Sequence, residues 1–132
     1  MPDARPKRIL VVDDEPRFIE SFCAIVRREG HLVTAANGGR AGIDAFLSAL
    51  DGTEPFDLVI TDFGMRVVDG REVATAVKTA SPSTPVILIT GWGQWFEEQG
   101  GVPLPVDCIL SKPPKLAEIR EALAKCLESS KI

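Results

Sequence analysis

Residues 9–15 read ILVVDDE, an unbroken apolar run that ends in the acid pair Asp13 and Asp14. Two further runs end the same way, FDLVITD at Asp62 and CILSKP at Lys112. A strand with no polar residue along its length is expected in a parallel sheet covered on both faces. In a doubly wound α/β sheet the carboxyl ends of such strands share one edge, where ligands bind. Asp13, Asp14, Asp62 and Lys112 are therefore expected to meet. Three acids and one lysine suit a hard divalent cation with oxygen ligands, and a phosphoryl group that metal and lysine neutralise together.

Outward from these runs, strand-like and helix-like stretches alternate. Strands are expected at Ile9–Val12, Leu32–Ala35, Leu58–Thr61, Val86–Ile89 and Cys108–Leu110. A first helix is predicted after Pro16, where Phe18, Phe22, Ile25 and Val26 repeat at helical spacing until Gly30. A second carries Ala41, Ala45, Phe46, Ala49 and Leu50, and a third starts near Asp69–Gly70 with Val73, Ala76, Val77 and Ala80. The last carries Leu116, Ile119, Leu123, Cys126 and Leu127, with Glu118 and Glu121 in its first half as the helix dipole prefers. Between residues 91 and 107 glycines and prolines leave room for at most about two turns, Gln94 to Gln99. Five strand–helix units predict a five-stranded, doubly wound parallel sheet with helices on both faces and a shortened or irregular fourth helix.

The chain of 132 residues is read as one domain, 1–132, with tails at 1–6 and 129–132. Charged residues are 26%, hydrophobic ones 45%, and the formal charge is -4. That balance argues against a nucleic-acid surface, and the basic lead Arg5, Lys7, Arg8 reads as a solvated tail. No apolar run approaches a membrane span or a signal-peptide core, and Cys23, Cys108 and Cys126 read as reduced, buried small hydrophobes in a cytoplasmic protein. The single histidine, His31, reads as an exposed turn residue.

An aspartate attacks a phosphoryl group only if the repulsion between two anions is offset, which a bridging divalent metal does. Asp13 and Asp14 would hold Mg²⁺ with Asp62 sharing it; Lys112 adds positive charge and Thr90 a hydroxyl. This constellation resembles the receiver domain of two-component response regulators, of the chemotaxis-regulator-like type. The resemblance covers about Lys7 to Glu128. It is carried by the acid pair, by Asp62-x-x-Met65-x-x-x-Asp69-Gly70, by Thr90-Gly91 28 positions after Asp62, and by Lys112-Pro113 22 positions after Thr90.

The resemblance implies a flavodoxin-like (βα)5 fold and Mg²⁺ held by Asp13, Asp14, Asp62 and the backbone carbonyl of Gly64. It also implies phosphoryl transfer to Asp62 from a phosphohistidine on a sensor histidine kinase or histidine phosphotransfer protein. Thr90 and Lys112 would engage the phosphoryl group, the Lys112–Pro113 bond would be cis, and the output would be a switch in protein contacts rather than enzymatic turnover. Neither a nucleic acid nor a membrane is an expected partner.

Two positions depart from the family pattern. Arg66 follows Met65 where proline is usual, which predicts a less rigid turn. Ile109 stands where Tyr or Phe is common three residues before the lysine, which predicts weaker coupling across strands four and five. Gly64 and Trp92, two positions past Asp62 and Thr90, predict slow self-dephosphorylation, because glycine cannot position water and tryptophan shields the phosphoryl group. Two other classes fit the sheet less well. A Mg²⁺-dependent phosphohydrolase with an aspartyl nucleophile usually carries D-x-D, but Glu15 stands two after Asp13. A flavin or nucleotide binder would show a glycine-rich phosphate loop, and neither G-x-x-x-x-G-K-[ST] nor G-x-G-x-x-G occurs.

Overall fold

The computed structural model describes residues 6–91 and 104–129. Five strands, β1 (Arg8–Asp13), β2 (Leu32–Asn37), β3 (Leu58–Asp62), β4 (Val86–Thr90) and β5 (Cys108–Ser111), form one parallel sheet in the order β2-β1-β3-β4-β5. Among the described residues four helices accompany them: α1 (Pro16–Arg28), α2 (Gly39–Asp51), α3 (Gly70–Ala80) and α4 (Leu116–Ser129). The predicted short helix at 94–99, with Trp92, Trp95 and Phe96, lies outside the described residues, as do residues 1–5 and 130–132 of the expected tails.

Alternation along the strands divides the core into two layers, because successive side chains of a strand point to opposite faces. Ile9 and Val11 of β1, Leu58 and Ile60 of β3, and Ile87 and Ile89 of β4 pack with Phe22, Cys23 and Val26 of α1 and Ile119, Leu123 and Cys126 of α4. Leu10 and Val12, Val59 and Val86 face the other way, onto Phe46 of α2 and Val73, Ala74 and Val77 of α3. Full burial of a side chain such as Phe46 contributes about 1.5–3 kcal/mol. The apolar runs are thus two-sided in β1, β3 and β4. β2 and β5 form the sheet edges and are more open, and Leu32 on β2 is exposed.

Helix starts follow local chemistry. Pro16 sits in the first turn of α1, where its missing N–H is not needed. Asp69 caps α3 by accepting from Glu72 N at 3.0 Å, while Glu72 reaches back to Asp69 N at 3.4 Å. Gly30 ends the α1 segment with φ of 93°, a conformation glycine adopts without strain.

Three expectations need correction. His31 is half-buried, not exposed; its Nδ1 accepts the Lys7 N–H at 3.2 Å. Burial, more than the adjacent Lys7 charge, pushes its pKa down against the pull of Glu29 and Asp57. Arg8 belongs to β1 and not to a tail. Its guanidinium pairs with Glu54 at 3.2 Å and lies over the Phe56 ring, and its N–H bonds Asp57. Cys108 is only half-buried, because β5 is an edge strand, whereas Cys23 and Cys126 are buried.

Candidate functional site

The sheet order makes β1 the strand from which the chain winds both ways, with β2 on one side and β3 on the other. Crevices form at such a reversal, at the carboxyl ends of the strands. Register places the acids there. Val12 pairs with Thr61, so the next residue of each strand, Asp13 and Asp62, closes the same edge. On the far side of β3, Asp62 pairs with Ile89, which precedes Thr90; Thr90 pairs with Ser111, which precedes Lys112. The Lys112 N–H donates to the Thr90 carbonyl at 2.9 Å, holding the two segments together where β5 ends. The Lys112–Pro113 bond is cis, as the resemblance implied.

The side chains then meet across 99 positions of sequence. Lys112 Nζ lies 3.0 Å from Asp13 Oδ2 and 3.7 Å from Asp62 Oδ1. Asp13, 1% exposed, also accepts the Glu15 N–H at 2.8 Å, so both its oxygens are engaged. Asp14 is held from another element: its Oδ2 accepts the Arg66 N–H at 3.2 Å. Oxygen atoms of Asp13, Asp14 and Asp62 lie within 4.8 Å of one another, a grouping that could hold a metal ion. Oxygen donors alone, with no sulfur or imidazole, select a hard cation. Three carboxylates facing one ammonium leave an excess of two negative charges, the charge a divalent ion brings.

Electrostatics sets Asp62 apart. Burial, reinforced by the charges of Asp13 and Asp14, raises its pKa, against the opposing effects of Lys112 and the Phe63 N–H. Lys112 shows the complementary balance. Burial alone would lower its pKa, but the Asp13 hydrogen bond and the charges of Asp62, Asp13 and Glu15 outweigh it, and the net shift is upward. The ammonium is therefore retained at neutral pH beside a carboxylate whose charge is incompletely offset.

The structure thus brings together Asp13, Asp14, Asp62 and Lys112, with Thr90 buried at the same edge. Gly64 lies in the adjoining loop, exposed, with open space where a side chain would project. Trp92 lies outside the described residues. Three contributors were not foreseen as such. Phe18 was read only as part of a helical stripe, yet Lys112 Nζ lies over its ring, 4.2 Å from the centroid. Arg66 was noted only for the missing proline, whereas its N–H, which proline lacks, holds Asp14. Gly70 has no room for a side chain: an added Cβ would sit 2.3 Å from the Asp62 carbonyl oxygen.

Residues 9–124 match the family model described as the response regulator receiver domain. With that match, the strand order and the acid-and-lysine edge, the chain belongs to the response regulator receiver domain family. Among its relatives, the transcriptional activator protein PfeR of Pseudomonas aeruginosa is 34% identical over 112 residues, covering 85% of this chain and 35% of PfeR. The transcriptional regulatory protein TcrA of Mycobacterium tuberculosis is 32% identical over 112 residues, 85% of this chain and 42% of TcrA. The chain therefore spans less than half the length of these relatives. The crystal structure of the response regulator TrrA from Thermotoga maritima, in complex with Mg²⁺-BeF, superposes with a TM-score of 0.78 at 30% identity, covering 92% of this chain and 99% of that one. The protein is a receiver domain, a module of phosphorylation-dependent signalling, and the phosphohydrolase alternative is not favoured. Among the described residues no helix is long and apolar enough to cross a membrane.

Proposed function

We propose that Asp62 accepts a phosphoryl group from a phosphohistidine, with Mg²⁺ held by Asp13, Asp14, Asp62 and the Gly64 carbonyl, and that the phosphorylated state changes the contacts the domain makes with other proteins. The observation that carries this reading is the Asp62 carboxylate, 8% exposed, inside a metal-competent acid group and 3.7 Å from an ammonium. An oxygen of Asp62 attacks phosphorus; the phosphorus–nitrogen bond to the donor imidazole breaks, and the imidazole leaves with the electron pair and takes up a proton. Lys112 and the Thr90 hydroxyl stabilise the charge on the phosphoryl oxygens. A divalent ion held by Asp13, Asp14 and Asp62 would supply Lewis-acid charge neutralisation.

The donor would be a sensor histidine kinase or histidine phosphotransfer protein, which places the domain, residues 1–132, in the cytoplasm. Since PfeR and TcrA are transcriptional regulators, an effector in the same or a partner protein would read the switch, with this surface itself binding neither DNA nor membrane. Self-phosphorylation by small donors and self-dephosphorylation would be slow, making the domain a switch rather than an enzyme. Incubation with acetyl phosphate and Mg²⁺ tests this. One hydroxylamine-labile phosphoryl group per chain, formed only with Mg²⁺, is expected; steady multiple turnover of a phosphoester such as p-nitrophenyl phosphate would overturn it.

A further inference from the structure

We infer that Phe18 is a positioning residue for Lys112: its ring face holds the ammonium at the phosphoryl site when the acid partners of the lysine are drawn elsewhere. The inference rests on the function proposed above. Among the described residues, Lys112 Nζ lies against the carboxylates of Asp13 and Asp62 and over the Phe18 ring, whose centroid is 4.2 Å away. Both carboxylates belong to the group that could hold a metal. Their lone pairs are the ones a divalent cation takes, so their hold on Lys112 weakens as the site is loaded. The negative face of an aromatic ring attracts an ammonium but is no ligand for a hard cation, so that contact persists.

The ring is itself fixed. Phe18 stacks on Phe22 with centroids 5.3 Å apart and planes within 14°, and Phe22 is buried in the layer between α1, α4 and the sheet. An aliphatic residue at position 18 could fill the same half-buried space but would present no such face. Arrival of a phosphoryl group at Asp62 then needs only a short shift of an ammonium already in the pocket, instead of recovery of a long flexible side chain from solvent.

The test compares Phe18→Leu, Phe18→Met and Phe18→Tyr, with Phe46→Leu, in the opposite core layer, as a packing control. In the protein without Mg²⁺ or phosphodonor, the Lys112 ε-methylene protons, assigned by their loss in Lys112→Arg, should lie upfield of the other lysines through the ring current. They should stay there in Phe18→Tyr and move to the ordinary position in Phe18→Leu and Phe18→Met. With acetyl phosphate and saturating Mg²⁺, the phosphorylation rate constant should fall about fivefold in the Leu and Met variants, about 1 kcal/mol, and recover with Tyr. The Mg²⁺ dissociation constant should change less than about twofold throughout, and Phe46→Leu should lower the unfolding midpoint but not the rate. Wild-type rates in Phe18→Leu and Phe18→Met, or a Tyr variant as slow as they are, would overturn the inference. Failure of the wild-type chain to form an adduct would instead defeat the function proposed above, and the methylene signal would still decide the role of Phe18.

Discussion

Val67 has a φ of 66°, the only positive value at a non-glycine among the described residues, and is 97% exposed. The Val68 N–H donates to the Arg66 carbonyl at 2.7 Å, so Val67 is the apex of a three-residue turn of the strained hand. A β-branched residue there crowds its own backbone, a penalty of roughly 1–2 kcal/mol, and no burial of the side chain offsets it. Val67→Gly is predicted to raise stability by about 1 kcal/mol despite the looser unfolded chain, read as a higher urea midpoint; an unchanged or lower midpoint would count against the strain. Gly64, three residues earlier, has open space beyond its Cα. Gly64→Asn is accordingly predicted to fold normally and to speed loss of the phosphoryl group about tenfold, ~1.4 kcal/mol of barrier, by offering an amide to orient water. Decay followed by radiolabel loss would show whether it does. At this scale Asp13, Asp62 and Lys112 were legible because each ends a run of apolar residues. Phe18 was not, since a helical stripe gives the face a residue shares and not the cation that another strand brings over it.

Between elements, the close joint is β3 to α3. Gly70 opens α3 directly against the end of the acceptor strand, where an added Cβ would meet the Asp62 carbonyl oxygen at 2.3 Å and the Phe63 Cα at 2.7 Å. Backbone atoms on both sides leave nothing flexible to yield. Gly70→Ala is predicted to lose about 1–3 kcal/mol of stability and to slow phosphorylation by displacing Asp62, whereas an alanine variant matching wild type in both would show that the loop relaxes. The loop holds the site in a second way, since the Arg66 N–H anchors Asp14. The sequence made α3 easy to place, because Val73, Ala76, Val77 and Ala80 repeat at helical spacing after Asp69–Gly70; the capping box of Asp69 and Glu72 that starts it was not read there. Its apolar runs exposed β1, β3 and β4 just as clearly. Their bounds were close, as was that of β5, each of β3, β4 and β5 running one residue further than read. β2 runs two residues past Ala35, being an edge strand whose residues answer to solvent as well as to the core. His31 and Arg8 were misread for a related reason: partners 24 and 46 positions away decide their burial.

For the whole molecule, the sheet forces like charges together, and the fold bears the consequence. Asp62 has a pKa above the ordinary 3.8, chiefly from burial and then from Asp13. A carboxyl with a raised folded pKa adds stability when protonated, in full below 3.8, and loses it as pH rises through the folded value. Without added divalent ion, Asp62→Asn is therefore predicted to have a higher urea midpoint than wild type at neutral pH, with the gap closing as pH falls toward 3.8. Mg²⁺ should raise the wild-type midpoint as a ligand of the folded state does, by about 2.7 kcal/mol at one hundred times its dissociation constant. Unfolding curves across pH, with and without Mg²⁺, check both. The arrangement that strains the resting site is the one that would make Asp62 reactive. That is tested most directly by intact-mass and peptide-mapping spectrometry of wild type and Asp62→Asn after acetyl phosphate treatment. The predicted result is a Mg²⁺-dependent phosphoryl group on Asp62 in wild type and none in Asp62→Asn; a full-yield adduct on the variant, or one mapped to another residue in wild type, would contradict the account.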